Sequence, residues 1–171
     1  IREASGTAGV KGSFDEWLWD LSGTYGRNSF DIFVRQSNNV SLGAASPTSF
    51  YCGTMKFGQL TANLDVSSGF DVGFSSPLNV AFGAEFRLDN YIIEEGEPAS
   101  YIDGGKPIEG TTRLGPVGAQ VFPGFRPSDA VNEKRSNVAV YFDAEAKPVS
   151  EVLLGGAARF ENYSDFGSTF D

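Results

Sequence analysis

Charged side chains occupy alternate positions in three stretches of this 171-residue chain. Residues two apart share one face of a β-strand, so each stretch predicts a strand with a charged face. Glycosidase chemistry needs two carboxylates that flank a substrate cleft, whereas these carboxylates lie along single strand faces. We therefore expect no enzymatic activity from them. In a closed barrel they would line the lumen, whereas in a β-sandwich they would face bulk water. The residues concerned are Glu85, Arg87, Asp89, Asp143, Glu145, Arg159 and Glu161.

A second set of candidate residues lies in a long polar stretch, 93–136, which has no useful strand-like alternation. Its aromatic rings and arginines combine flat stacking surfaces with forked hydrogen-bond donors, which suit sugars or anionic chelates. Alternatively, the stretch simply folds over the ends of the strands and its Pro-Gly-Phe segment packs internally. The candidates for ligand contact are Tyr101, Arg113, Phe122, Phe125 and Arg126.

The composition excludes several classes of function. Lys and Arg number 13 against 22 Asp and Glu, which gives a net charge of -9, and histidine is absent. The acidic balance disfavours nucleic-acid binding, and histidine-dependent catalysis or metal ligation is excluded. A single cysteine, Cys52, excludes an internal disulfide or a cysteine-ligated zinc site. We expect no metal and no cofactor.

The dominant apolar period is two, which predicts an all-β fold with about six strands and no helix. Most of the runs reach nine residues or more. A tilted transmembrane strand needs about 9–11 residues, whereas ordinary globular strands average about five or six. One strand is expected to end at Phe14, and the others cover 17–25, 59–66, 80–92, 138–146 and 154–161.

The connections between these strands differ greatly in length. A tight hairpin with a three-residue loop is predicted at 147–151, with Lys147 opposite Glu151. That register places Asp143, Glu145, Arg159 and Glu161 on one face and Val140, Phe142, Ala158 and Phe160 on the other. Short turns at one end and long loops at the other, here 36–53 and 93–136, are typical of outer-membrane barrels. The turns would be periplasmic and the loops extracellular.

The strands of a soluble β-sandwich also alternate apolar and polar residues, so periodicity alone does not distinguish a sandwich from a barrel. The residues on the two faces must distinguish them. The apolar face mixes large residues with Ala84, Ala144 and Gly156, which lipid accepts but a close-packed core would not. Trp17 and Trp19, together with a tyrosine at position 25, resemble an interfacial aromatic girdle. These patterns favour a transmembrane barrel segment. The alternative is a soluble or surface-attached β-sandwich module that binds carbohydrate.

Several segments resemble TonB-dependent outer-membrane receptors. The stretch 79–87, NVAFGAEFR, is similar to the A-x-G-x-E-x-R strand of that family, and 158–167, ARFENYSDFG, to its R-x-E-x-Y-S-D-F-G signature. The segments FPGFRP at 122–127 and RSNVAVY at 135–141 also look like the family. The resemblance extends over nearly the whole chain, with the segments in the family's order.

The resemblance implies that residues 1–171 are an internal part of an antiparallel transmembrane β-barrel domain in the bacterial outer membrane. Such receptors have a 22-stranded barrel blocked by a plug domain, which this chain does not contain. They import iron–siderophore complexes, cobalamin or oligosaccharides. The implied partners are the plug, the remaining barrel strands, the ligand, outer-membrane lipid and the TonB–ExbB–ExbD complex, which acts through the plug.

Overall fold

The computed structural model describes Ile1–Asp171 and confirms the all-β prediction. Seven strands form one sheet, in which each strand is hydrogen-bonded to the next one along the chain and neighbours are antiparallel. The strands are β1 Arg2–Phe14, β2 Trp17–Arg35, β3 Ser49–Phe70, β4 Leu78–Glu94, β5 Val131–Val149, β6 Val152–Tyr163 and β7 Gly167–Phe170. Helix is restricted to 3₁₀ segments at Val40–Ala45, Pro98–Ser100 and Pro127–Asp129.

The predicted count of six strands is one too low, and several strands are longer than the alternation indicated. β7 has four residues, Gly-Ser-Thr-Phe, which is too short for a period of two to be recognised. β3 has 22 residues and β5 has 19, so both extend into the predicted loops. The long connections therefore run from 36 to 48 and from 95 to 130. No helix in the structure has the length and apolar character that crossing a membrane requires.

The β5–β6 hairpin turns two residues later than the predicted register. Val149 pairs with Val152, so Ser150 and Glu151 form the turn and Lys147 does not lie opposite Glu151. The register shifts between Ala146 and Val149, the segment that contains Pro148. Proline has no amide hydrogen for the ladder, and bulges are among the few places where a sheet accepts it.

The predicted faces of this hairpin are confirmed, because the error in register is an even number of residues. Val140 pairs with Phe160, and Phe142 pairs with Ala158. Tyr141 pairs with Arg159 in the same ladder. The remaining charged positions follow the same alternation, with Asp143 opposite Ala157, Glu145 opposite Gly155 and Ala139 opposite Glu161.

The chain folds as two compact units through which the long strands run. Unit 1 comprises Ile1–Ala4, Arg27–Gly58 and Asn90–Glu133, and it contains both long connections. Its small core consists of Phe50, Cys52 and Ala119, with Ile32, Val34, Ala99 and Phe122 packed against them.

Unit 2 comprises Ser5–Gly26, Gln59–Asp89 and Lys134–Asp171, and it consists of strands and short turns. Many of its large apolar side chains are exposed. Val138, Val140 and Phe142 expose 52%, 49% and 50% of their surface. The same holds for Leu60, Leu64, Phe82, Phe86, Leu154 and Phe160. The apolar face of this unit therefore has no protein layer over it.

Candidate functional site

The polar face of unit 2 carries a connected set of charged side chains, which we call the ladder: Glu85, Arg87, Asp89, Arg135, Arg159, Glu161 and Tyr163. Arg159 on β6 lies between two carboxylates. Its Nε donates to Glu161 Oε1 at 2.6 Å, and its Nη2 lies 3.3 Å from Glu85 Oε1 on β4. The hydroxyl of Tyr163 donates to the other oxygen of Glu161 at 2.5 Å. One guanidinium thus joins two strands and compensates two acidic groups.

Asp89 is the most buried charge of the ladder, with 8% of its surface exposed. Arg135 Nη2 lies 3.3 Å from its Oδ2, and the side-chain amide of Gln59 donates to its Oδ1 at 2.8 Å. Arg87 Nε lies 4.0 Å from the same Oδ2, and Arg87 Nη2 donates to the Tyr163 hydroxyl at 3.3 Å. Burial of a carboxylate is tolerated here because cationic and amide donors surround it.

Tyr141 reaches across an entire strand on the same polar face. Its hydroxyl on β5 donates to Asp65 Oδ1 on β3 at 2.6 Å, and β4 lies between those two strands. Gly83 on β4 makes this possible. A Cβ at that position would collide with the Tyr141 ring and would lie 2.5 Å from the carbonyl oxygen of Leu64 and 2.9 Å from Asp65 Oδ1. Because Gly83 has no side chain, the Tyr141 ring can cross β4 and reach Asp65 on β3.

Two cavities of about 570 Å³ each flank Tyr141 on this face. One is lined by Lys11, Asp20, Asp65 and Ala81, among others. The other is lined by Asp143, Ala157 and Arg159, together with Ala81 and Tyr141. Small residues and ring faces therefore alternate with charges at this surface.

Five of the seven charged residues predicted from the sequence belong to the ladder, and two do not. Glu85, Arg159 and Glu161 form one connected group, and Arg87 and Asp89 form the next. Asp143 borders a cavity, and Glu145 is exposed; no ion pair connects either of them to the ladder. Sequence reasoning missed Gln59, Asp65, Arg135, Tyr141 and Tyr163 as partners, although their alternate positions and the quoted motifs were visible.

Some buried polar atoms on this face make no hydrogen bond within the chain. Both side-chain polar atoms of Asn137 are in this state, and Nε of Arg87 also makes no hydrogen bond, although it lies 4.0 Å from Asp89 Oδ2. Asn137 itself is 2% exposed and lies opposite Tyr163 in the β5–β6 ladder. Buried polar groups are nearly always hydrogen-bonded in native proteins, so Asn137 is exceptional on this face.

The two long connections of unit 1 are joined through a buried polar cluster around Asn39. Its Nδ2 donates to the carbonyl oxygens of Ala99 and Ile102 at 3.0 and 2.9 Å. Its Oδ1 accepts from the Ser41 hydroxyl at 2.6 Å, and that hydroxyl oxygen accepts from the amide of Gly104 at 3.0 Å. Asn39 and Ser41 have no exposed surface. The two connections are therefore one packed structure.

The structure brings two of the five predicted loop residues into contact with each other. The rings of Phe122 and Phe125 lie 5.6 Å apart at 87°, and Phe122 packs on the core of unit 1. Arg126 follows as the exposed N-cap of Pro127–Asp129. Tyr101 is half-buried at the end of Pro98–Ser100, and Arg113 is exposed beside a bridge between Pro107 and Leu114. Their contact with a ligand stays a prediction.

Cys52 lies under this pair of phenylalanines. The amide of Phe125 donates to the Cys52 carbonyl oxygen at 2.9 Å, and the thiol donates to the Phe122 carbonyl oxygen at 3.4 Å. The side chain is fully buried, and this burial raises the pKa of the Cys52 thiol above its ordinary value. Burial and the raised pKa both disfavour the thiolate, which is the reactive form of cysteine.

No family model, curated protein or solved structure matches this chain.

Proposed function

We propose that this chain forms part of the barrel wall of a TonB-dependent receptor in the bacterial outer membrane. In this role unit 2 presents its apolar face to lipid and its polar face to the interior, and the long connections of unit 1 face the outside and capture the ligand. The observation that carries the proposal is the contrast between the two faces of unit 2.

The apolar face is suited to contact with lipid because many of its large apolar side chains are exposed. Soluble monomers rarely expose contiguous apolar patches larger than a few hundred Å². Nine large apolar side chains of unit 2 are about half exposed. Burial of the remaining half of each side chain stabilises by about 1 kcal/mol, so contact with lipid would stabilise this face by several kcal/mol in total.

Aromatic side chains near the short turns support the same orientation. Trp17, the first residue of β2, packs edge-on against Phe70, the last residue of β3, with ring centroids 5.7 Å apart. It packs at the same distance against Phe82 on β4. Tryptophan is enriched at the membrane–water interface, where girdles of aromatic residues flank the apolar band of a barrel.

The polar face is suited to line the interior of the barrel, where another segment of the receptor would contact it. The ladder neutralises most of its own charges, yet both side-chain polar atoms of Asn137 are buried without a hydrogen bond. In the proposed receptor the plug is the partner of this surface, and the TonB–ExbB–ExbD complex acts on the plug. A carbohydrate-binding sandwich would instead need a second sheet over the apolar face, whereas all seven strands belong to one sheet.

The test is to place a charge on each face. Phe86→Arg and Phe160→Arg put a cation on the apolar face, and we expect each to destabilise the folded protein in lipid by about 2–4 kcal/mol at mid-bilayer depth. Ala157→Arg is the matched control, because Ala157 lies opposite Asp143 on the polar face and borders a cavity. Folding into lipid vesicles is measured by urea titration. Equal effects of all three variants would refute the proposed faces.

A further inference from the structure

The segment Val121–Pro123 covers Cys52 in a conformation that a valine adopts only under strain. Val121 has φ of 83°, a left-handed value that is a genuine outlier for a β-branched residue. The residue is 97% exposed, so no packing around its side chain stabilises the conformation. Backbone strain of this kind persists only where the surrounding structure imposes it.

Firm anchors on both sides impose this conformation. The amides of Ala119 and Gly124 both donate to the carbonyl oxygen of Ser100, at 2.9 and 3.0 Å. The amide of Gln120 donates to the Asn38 carbonyl oxygen at 3.0 Å. Gly124 also packs so tightly against the Ser100 side chain that a Cβ would collide with it. The backbone is therefore fixed in position both before and after Val121–Pro123.

Between these anchors the attachment is weak. The hydrogen bond from the Cys52 thiol to the Phe122 carbonyl oxygen is the one that joins Val121–Pro123 to the rest of unit 1. A thiol is a weak donor. The segment is otherwise held by the Phe122 ring, which packs against the core of Phe50, Cys52 and Ala119 and edge-on against the ring of Phe125. Strain in the backbone thus opposes the burial of a single aromatic ring.

We propose that Val121–Pro123 is a strained cover that opens locally, while its anchors on Ser100 stay bound. Opening withdraws Phe122 from the core of unit 1 and exposes the thiol of Cys52. It also frees the Phe122 ring, a residue that the sequence predicts as a ligand contact. The opening equilibrium follows from the geometry alone and does not depend on the receptor proposal.

The test measures the alkylation rate of Cys52 by iodoacetamide in the intact protein folded in detergent, read by mass spectrometry of the Cys52 peptide. Glycine accepts positive φ without strain, so we expect Val121→Gly to stabilise the closed cover and slow alkylation about tenfold, which corresponds to about 1.4 kcal/mol. Phe122→Ala removes the packing and should accelerate alkylation at least tenfold.

Val117→Gly is the matched control, since it removes a valine from the same connection at a residue without positive φ. It should leave the rate unchanged or raise it. Hydrogen exchange of β3 amides at 59–70 should be the same in all variants, which separates local opening from global unfolding. An unchanged or faster rate in Val121→Gly would overturn the proposal. So would a Phe122→Ala rate that rises only together with exchange at 59–70.

Discussion

Gly83 offers the sharpest quantitative test of the polar face, because its missing side chain determines whether Tyr141 can reach Asp65. An alanine Cβ would lie 2.5 Å from the carbonyl oxygen of Leu64, which is backbone and cannot rotate away. Overpacking of this kind costs about 1–3 kcal/mol. Loss of the hydrogen bond to the Asp65 carboxylate costs about 1.5–3 kcal/mol, and reduced entropy of the unfolded chain offsets up to about 1 kcal/mol. We expect Gly83→Ala to lower the free energy of unfolding by about 2–4 kcal/mol.

The assay is urea unfolding of the protein in detergent micelles, followed by tryptophan fluorescence. Tyr141→Phe, which removes only the hydroxyl, should cost about 1.5–3 kcal/mol in the native background and less than about 0.5 kcal/mol in the Gly83→Ala background. Gly156→Ala is the control, since a Cβ there meets nothing within 4 Å. It should be neutral or slightly stabilising.

Two results would refute this reasoning. The first is a Gly83→Ala variant as stable as Gly156→Ala. The second is a Tyr141→Phe cost that is the same in both backgrounds, because the hydroxyl would then not depend on the space above Gly83.

Further variants probe the ladder and the joined connections. Arg159→Ala leaves the carboxylates of Glu85 and Glu161 without their shared cation, and we expect a loss of about 1–2 kcal/mol in urea titrations that shrinks in 1 M salt; a loss independent of salt would contradict the ion-pair account. Asn39→Ala removes the donor to the carbonyl oxygens of Ala99 and Ile102 and the acceptor of the Ser41 hydroxyl, and we expect about 1–3 kcal/mol of local destabilisation, seen as faster protease cleavage within 95–130; unchanged cleavage would contradict the joining role of Asn39. Arg159→Lys should recover only part of the stability, because lysine cannot bridge both carboxylates with a planar fork.

The alternation of residue types predicted the strands and their faces because a period of two is a local property of the chain. The β5–β6 register was two residues out, since the bulge around Pro148 shifts the turn without changing which residues share a face. The contact between Tyr141 and Asp65 could not be predicted, because it depends on the pairing of three strands and on an empty position in the middle one.

The packing of the two long connections against each other also could not be predicted from the sequence pattern. Asn39 and Ala99 are 60 positions apart, and no periodicity relates them. The strain at Val121 arises from anchors at Ala119 and Gly124 that only the folded chain shows. The composition of 95–130, rich in glycine, proline and charge, indicated a connection but not that it would pack on the 36–48 segment.

The most direct test of the central claim is a nitroxide scan along β4 in lipid vesicles, with Cys52→Ser as the background. Phe82→Cys and Phe86→Cys place the label on the apolar face, and Glu85→Cys and Arg87→Cys place it on the polar face. The account predicts high accessibility to oxygen at the first two positions and low accessibility at the other two, with a period of two. Accessibility to a water-soluble nickel complex at Phe82 and Phe86 as high as that of an exposed loop site would contradict it.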